Sequence, residues 1–197
     1  VRLQYDIEFP AGIYMQDQLK FNSYSVTLHL LTNTSDPISI NVALERIKWF
    51  VYAELEDAVF VNQQQKERAE LMSMMGINVT LLPEEPVDQV VGMMLFYKLN
   101  AITEGRLLIT DLAISSAAND GITYMHNEED HPGPYAIDGW WSNPGCQHET
   151  YDDSSVEKIV KVSTRGWHEA GLDWPDEQQP VAAPGCNAMS ATVTLAN

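Results

Sequence analysis

The sequence has few basic residues, few cysteines and no long hydrophobic run. Eleven Lys and Arg residues stand against 28 Asp and Glu, which gives a formal net charge of −17. Such a surface repels phosphate backbones and anionic membranes, so neither a nucleic acid nor a membrane is expected as a partner. No apolar run approaches the roughly 20 residues that cross a bilayer, and the N-terminus has no apolar signal core. The acidity fits solubility or a saline habitat, and the sharper alternative is an acidic decoy that captures a basic protein.

Cysteine is nearly absent, and so are the familiar catalytic signatures. The two cysteines, Cys146 and Cys186, each follow a Pro-Gly pair. One disulfide between them would tie down the tail, but the cytosolic-looking N-terminus favours two free thiols. There is no Gly-x-Ser-x-Gly motif, phosphate loop or Rossmann fingerprint. The sequence therefore argues against an enzyme and indicates no cofactor.

What is present is an ordered series of periodic segments over residues 1–125. Apolar and polar residues alternate over Val1–Phe9, where Pro10-Ala11-Gly12 is expected to end the strand, and again over Tyr24–Leu30. These two strands are close enough in sequence to pair antiparallel. Apolar residues then recur at helical spacing from Ile40 to Val59, with Ser39 as the expected N-cap.

The second half of this region predicts two more helices and a hairpin. A short helix is expected around residues 62–75, and a nearly all-apolar helix runs over Val87–Ile102. Leu107–Ile114 and Ile122–His126 then predict two strands joined by a long turn. Residues 126–197 form an acidic, loop-rich extension in which short strands are expected over residues 158–164 and 191–195. We expect a core domain over 1–125 and an extension over 126–197.

This order of elements resembles the tunnelling fold of pyruvoyl-tetrahydropterin synthases. The resemblance implies an α+β protein in which an antiparallel sheet carries two main helices on one face, in the order ββααββ. Pro86–Tyr124 is similar in layout to the second helix and last hairpin of that family. Such sheets have open edges, so the resemblance implies a homo-oligomer. A ferredoxin-like sandwich is the alternative topology.

The functional residues of that family are largely missing. Its zinc-binding members have a His on the first strand and His-x-His on the second, whereas here the first strand has no His and the second has only His29. The ligand-anchoring Glu of the family would fall near Ala113–Ser116, where the closest acid is Asp111. The resemblance thus implies a purine- or pterin-type ligand held by Asp111, with His29 or Tyr124 nearby, in a pocket between subunits.

A second resemblance is to uncharacterised proteins of T-even-type marine cyanophages. Phe21–Leu31 and Asn41–Val61 carry it, together with Trp140-Trp141 and Gly166-Trp167-His168. It implies a viral protein in the cytoplasm of a bacterial host, with possible incorporation into a virion and contacts with other virion or host proteins.

Four of the five histidines follow residue 125, in a region rich in loops. His126, His131, Cys146 and His148 are candidate zinc ligands, because zinc prefers nitrogen and sulfur ligands on tight loops. Their spacing matches no established zinc motif, and solvated side chains are the alternative. Asp130-His131 also suggests an acid–base pair.

The extension also concentrates tryptophan, a residue that anchors protein interfaces. The candidates for an interface are Trp140, Trp141, Trp167 and Trp174, and the alternative is a small core of the extension itself.

Taken together, the missing catalytic motifs, the open sheet edges and these tryptophans predict a non-catalytic, oligomer-forming viral structural or assembly component. The alternative is an enzyme or small-molecule binder of the tunnelling-fold type.

Overall fold

The computed structural model describes residues 1–146 and 166–176. Within these ranges the chain forms two strands, then three helices that alternate with two short strands, then two final strands. The elements are β1 (Arg2–Met15), β2 (Gln18–Thr32), α1 (Pro37–Trp49), β3 (Val59–Asn62), α2 (Lys66–Met74), β4 (Val79–Leu82), α3 (Asp88–Thr103), β5 (Leu107–Ser116) and β6 (Thr123–Asn127). A π-helical turn, Phe50–Leu55, extends α1.

The strands form one sheet in the order β4-β3-β1-β2-β5-β6. The pairs β1–β2, β2–β5 and β5–β6 are antiparallel, whereas β3 runs parallel to both β1 and β4. The predicted α+β class is confirmed. The predicted ββααββ order with a purely antiparallel sheet is corrected, because two parallel strands lie between the helices. The chain begins with two consecutive strands, so it does not follow the βαββαβ order of a ferredoxin-like sandwich.

The two strands missed by the sequence analysis are short and buried on both faces. All four residues of β3 and all four of β4 are buried. Val59 and Val61 pack with Ala69 of α2, whereas Phe60 belongs to the main core on the opposite face. Strands that are covered on both sides have no alternating pattern, and four apolar residues fit a helix equally well.

The β1–β2 hairpin is longer than the sequence indicated, because β1 continues through Pro10 to Met15. Pro10 is tolerated since β3 pairs with β1 only from Gly12 onward, so the missing N–H of proline lies where no ladder partner exists. The hairpin turns at Gln16 and Asp17, which both have positive φ angles, of 55° and 57°. Two such residues are typical of a type I′ turn, whose twist matches the paired strands.

The main core lies between the sheet and the pair α1 and α3, which confirms the prediction of two main helices on one face. Ala43 and Ile47 of α1 and Leu99 of α3 pack there against Leu28 of β2. Twelve of the sixteen residues of α3 are buried, as its nearly continuous apolar sequence predicts. The shorter α2 covers the opposite face at the β3–β4 end. Helix α1 is capped by Asp36 rather than Ser39.

The described part of the extension packs onto this same core. Short helical turns at Gly133–Ala136 and Trp140–Ser142 follow β6, and Trp174 joins the main core. The predicted strands at 158–164 and 191–195 lie outside the described residues. The division into a core of 1–125 and an extension of 126–197 stays a prediction. In the part of the chain that the structure describes, no helix has the length and apolar content of a membrane span.

Candidate functional site

The three predicted ligand-binding residues lie on two different faces of the sheet. His29 and Asp111 stand opposite each other on β2 and β5, on the face that α1 and α3 do not cover. Tyr124 stands opposite Ile114, which is buried on the helix-covered face. The β2–β5 register is regular from Asp111 to Ile114. Side chains alternate along a strand, so these two residues, three apart, point to opposite sides of the sheet. The structure therefore brings His29 and Asp111 together and separates Tyr124 from them.

Tyr124 instead lines a cleft between α3 and the β5–β6 hairpin. The cleft has a volume of about 240 Å³. Its floor is apolar, and its polar groups come from the start of α3, from β6 and from the loop after β6. The lining residues are Gln89, Gly92, Met93, Leu112, Ile114, Tyr124, Met125, His126, Asp130 and His131.

Close packing of α3 on β5 shapes the floor of this cleft. A Cβ atom at Gly92 would lie 2.7 Å from Cγ2 of Ile114 and 3.4 Å from Cδ2 of Leu112. The lack of a side chain at Gly92 thus allows the helix to approach the strand more closely than alanine would. On the neighbouring strand β6, Tyr124 and His126 are two residues apart and therefore lie on the same face of the sheet.

The buried carboxylate of Asp88 fixes the hairpin turn to the first turn of α3. It accepts hydrogen bonds from Oγ of Ser116 at 2.9 Å and from Nδ2 of Asn119 at 3.0 Å. A carboxylate at this position also faces the positive end of the helix dipole. These contacts set the position of the β5–β6 hairpin relative to α3, and therefore the width of the cleft.

His126 is the most unusual residue of the cleft. Its side chain is buried, its ring packs edge-on against Phe96 and Tyr97, and its Nδ1 lies 3.9 Å from a carboxylate oxygen of Asp130. Its Nε2 is buried without a hydrogen-bond partner. Burial lowers the pKa of His126, and the charge of Asp130 opposes this shift only in part. The neutral form of the imidazole is therefore favoured.

The loop after β6 forms the rim of the cleft and is held by its own hydrogen bonds. Asp130 accepts one from the backbone N–H of Asn127 at 2.9 Å. Nδ1 of His131 accepts one from the N–H of Gly133, also at 2.9 Å. The hydroxyl of Tyr135 donates to the carbonyl of Val90 at 2.9 Å, which ties the loop to α3. The predicted Asp130-His131 acid–base pair does not form, because Asp130 faces His126 instead.

Three of the four predicted zinc ligands lie in the described part of the chain, and the structure does not bring these three together as a metal site. His126 and His131 share the cleft, Cys146 is buried outside the set of cleft-lining residues, and His148 lies outside the described residues. Burial, reinforced by the charge of Glu54, raises the pKa of the Cys146 thiol, which disfavours the thiolate that zinc requires. Within residues 1–146 and 166–176, no group of three His, Cys, Asp or Glu side chains is arranged to hold a metal ion. Cys186, the other half of the possible disulfide, also lies outside these ranges.

The four predicted interface tryptophans all make contacts within the chain. Trp141 is 7% exposed and Trp174 is fully buried. The indole N–H of Trp140 donates to the carbonyl of Leu81, and that of Trp167 donates to the carbonyl of Pro144. These contacts serve the packing of the extension, and a role between subunits stays a prediction.

Two buried cations were not identified as important by the sequence analysis. Lys98 donates hydrogen bonds to the carbonyls of residues 140, 143 and 145. The guanidinium of Arg46 lies 3.7 Å from the ring centre of Trp174 and donates to the carbonyl of Leu172 at 2.8 Å. Both side chains fix segments of the extension, and neither lines the cleft.

Comparisons with known proteins bear on the fold. No family model matches the sequence, and no curated protein matches it. Similar solved structures include an uncharacterized protein from Wolinella succinogenes, with a TM-score of 0.47, 10% identity, and coverage of 65% of this chain and 98% of that one.

Two further similar structures are 6-pyruvoyltetrahydropterin synthases. One is a catalytic-residue mutant from Plasmodium vivax, with a TM-score of 0.42, 11% identity and coverage of 64% of this chain and 98% of that one. The other is from Plasmodium falciparum, with a TM-score of 0.41, 12% identity and the same coverage. These tunnelling-fold neighbours match the layout resemblance inferred from the sequence.

The comparisons also correct the main functional prediction. None of them supports a resemblance to cyanophage proteins, and two of the similar structures named above are 6-pyruvoyltetrahydropterin synthases. The prediction of a non-catalytic viral structural or assembly protein is therefore wrong. At these identities the likeness concerns the fold alone. What this chain binds must be argued from its own cleft.

Proposed function

We propose that this chain binds a small planar heterocycle of the purine or pterin type in the cleft between α3 and the β5–β6 hairpin. Pockets with an apolar lining and a few convergent polar groups are the usual sites of small-molecule binding. The volume of about 240 Å³ corresponds to about eight waters at the ~30 Å³ each occupies in the liquid. This space suits one fused ring system rather than a larger ligand.

The observation that carries the proposal is the unpartnered Nε2 of His126. A buried polar atom without a partner costs about 1–3 kcal/mol, and among the described residues with such an atom His126 is the one that lines the cleft. His126 lines the cleft, so an N–H group of a bound ligand would supply the missing hydrogen bond once a small shift of the ring exposes Nε2. The ring nitrogens and amino groups of purines and pterins offer such donors.

The remaining lining residues fit the same kind of ligand. Met93, Leu112 and Ile114 offer an apolar surface to the face of a ring, and sulfur and aromatic groups interact favourably. Gln89 and Asp130 supply further polar groups at the edge. A neutral imidazole beside a carboxylate is also suited to accept a proton from a bound ligand, so the same site has the groups that proton transfer requires.

A thermal-shift and calorimetric screen tests the proposal. The full chain is mixed with pterin, biopterin, adenine, guanine, adenosine and guanosine. Binding of at least one of these compounds, with a rise in melting temperature that grows with ligand concentration, is the expected result. No shift for any compound up to millimolar concentration, with the protein folded, would overturn the proposal.

His126→Phe is the matching variant, because phenylalanine keeps an aromatic ring and lacks the nitrogen. It is expected to fold at least as stably as the wild type, since it removes an unpartnered buried atom. Loss of one ligand hydrogen bond should weaken binding about tenfold. His29→Phe, on the uncovered sheet face, is the control and should bind like the wild type. Equal binding by His126→Phe would place the ligand elsewhere.

A further inference from the structure

We propose that the cleft selects an unphosphorylated, uncharged heterocycle that donates an N–H, and rejects ligands that carry a phosphate. This inference rests on the proposed function and specifies which members of the ligand class the site accepts. It follows from the charge around the cleft and from the direction of the available hydrogen bonds.

The charge of the cleft is negative. Asp130 contributes a carboxylate to the lining, and among the described residues neither Lys nor Arg lines the cleft. Glu128 and Glu129 follow β6 directly and are exposed beside the rim. Proteins usually bind phosphate with Arg, Lys or a helix N-terminus. A phosphate, with its charge of about −1.5 to −2, would meet like charge here.

The helix N-terminus closest to the cleft is also not available to a phosphate. Helix α3 begins at Asp88, whose buried carboxylate already faces the positive end of the helix dipole. Glu84 and Glu85 immediately precede it along the chain. The positive end of α3 is therefore already matched by a carboxylate of the chain.

The buried histidine of the cleft, His126, offers a hydrogen-bond acceptor. With Asp130 on the Nδ1 side of His126, the tautomer with the proton on Nδ1 is favoured, which leaves Nε2 as an acceptor. Nδ1 of His131 accepts from the N–H of Gly133, so its Nε2 carries the ring proton and is a donor. A ligand that bonds to Nε2 of His126 must itself donate, as the N–H edge of a neutral base does.

Matched pairs of ligands test the selection directly. Calorimetric titrations compare guanosine with guanosine monophosphate, and adenosine with adenosine monophosphate, at physiological salt. The phosphorylated member of each pair is expected to bind at least about tenfold more weakly, from repulsion between charges a few ångströms apart at the protein surface. Equal or tighter binding of the monophosphates would overturn the inference while leaving the proposed function intact. Binding of neither member, nor of any pterin or free base, would overturn both.

The variant Asp130→Asn removes the negative charge of the cleft lining and keeps the shape of the side chain, so it tests whether this charge causes the selection. The amide oxygen of the substituted side chain can still accept from the N–H of residue 127, so the rim loop is expected to keep its structure. The ratio between nucleoside and monophosphate affinities should fall toward one in this variant. Asp138→Asn, an exposed residue outside the cleft lining, is the control and should leave the ratio unchanged. An unchanged ratio in Asp130→Asn would contradict the electrostatic origin of the selection.

Nitrogen-15 NMR of the histidine side chains tests the hydrogen-bond direction without any ligand. The expected result at pH 7 is a neutral His126 ring with its proton on Nδ1. A proton on Nε2 would overturn the requirement for a ligand donor.

Discussion

At the scale of single residues, Lys98 shows how one buried cation can order a loop. The side chain is fully buried, and Nζ donates to the carbonyls of Trp140, Asn143 and Gly145 at 3.2, 2.8 and 2.8 Å. These three bonds use all three hydrogens of the ammonium group. Residues 140–145 thus close over α3 through a lysine that sequence-based reasoning would place at the surface.

Lys98 also predicts how the stability of the protein depends on pH. Burial lowers the pKa of Lys98 from 10.5 to about 8. Between these values the unfolded chain holds a proton that the folded chain has released, so the free energy of unfolding rises with pH across this window. Below about pH 8 the full cost of the buried charge is present.

We expect wild-type stability, relative to Lys98→Met, to rise by about 2 kcal/mol between pH 7 and pH 10. Denaturant unfolding of both proteins at each pH measures the difference, and methionine provides a side chain of similar length without a titratable group. Lys48→Met, at an exposed lysine paired with Glu45, is the control and should show no such rise. A difference that falls with pH would contradict the buried, titrating lysine.

At the scale of secondary structure elements, the sequence predicted those with a clear period. The alternation over Val1–Phe9 and Tyr24–Leu30 located β1 and β2, and the apolar run at Val87–Ile102 located α3. The strands β3 and β4 were missed because burial on both faces removes the alternation that identifies a strand. The end of β1 was misplaced because whether Pro10 breaks a strand depends on where a third strand begins.

The candidate site was predicted only in part, because residues that are distant in sequence form it. Tyr124, His126 and His131 were identified as residues capable of chemistry, but Tyr124 was assigned to a ligand site and the two histidines to a zinc site. Their common cleft depends on the return of the loop after β6 and on Gln89 and Met93 of α3, which are distant in sequence. The spacing of Tyr124 and His126 on one strand face was the signal that could have joined two of them.

Packing between α3 and β5 leads to a prediction at this same scale. Gly92→Ala would normally favour a helix by about 0.5–1 kcal/mol. Here its Cβ would lie 2.7 Å from Cγ2 of Ile114, so the helix must shift and we expect a net loss of about 1–3 kcal/mol. Chemical denaturation measures the effect.

The double variant Gly92→Ala with Ile114→Ala serves as the control for this contact. Removing Cγ2 of Ile114 relieves the overlap, so the two changes together should destabilise the chain less than the sum of the single changes. Simple additivity of the two effects would show that the contact at Gly92 is not the cause.

At the scale of the whole molecule, a few basic side chains of the core bind the described part of the extension, although the chain as a whole is acidic. Trp174 is fully buried, and the guanidinium carbons of Arg46 and Arg106 lie 3.7 and 4.0 Å from its ring centre. Arg106 also pairs with Asp176 at 3.0 Å. Only 11 basic residues are available against 28 acidic ones. Arg46, Lys98 and Arg106 hold the described extension, which leaves a surface dominated by negative charge.

This charge bears on self-association, which stays a prediction for this chain. In the described part of the chain, the sheet ends at β4 on one side and β6 on the other, and strand edges are templates for pairing with another copy. With a net charge of −17 per chain, two copies repel each other. Salt screens this repulsion, and the Debye screening length falls from about 10 Å at 0.1 M to about 3 Å at 1 M ionic strength. Association through the edges should therefore strengthen as the salt concentration rises.

Light scattering should give a mass above the 22.1 kDa of one chain, with a larger oligomeric fraction in high salt than in low salt. A constant mass of 22.1 kDa at micromolar concentration in both conditions would contradict association through the sheet edges. Met125→Lys, at a residue that is 76% exposed on β6, should weaken an assembly that uses this edge, because a lysine on an edge strand discourages pairing. Ile137→Lys, at a residue that is also 76% exposed but lies outside the sheet, should leave the assembly unchanged.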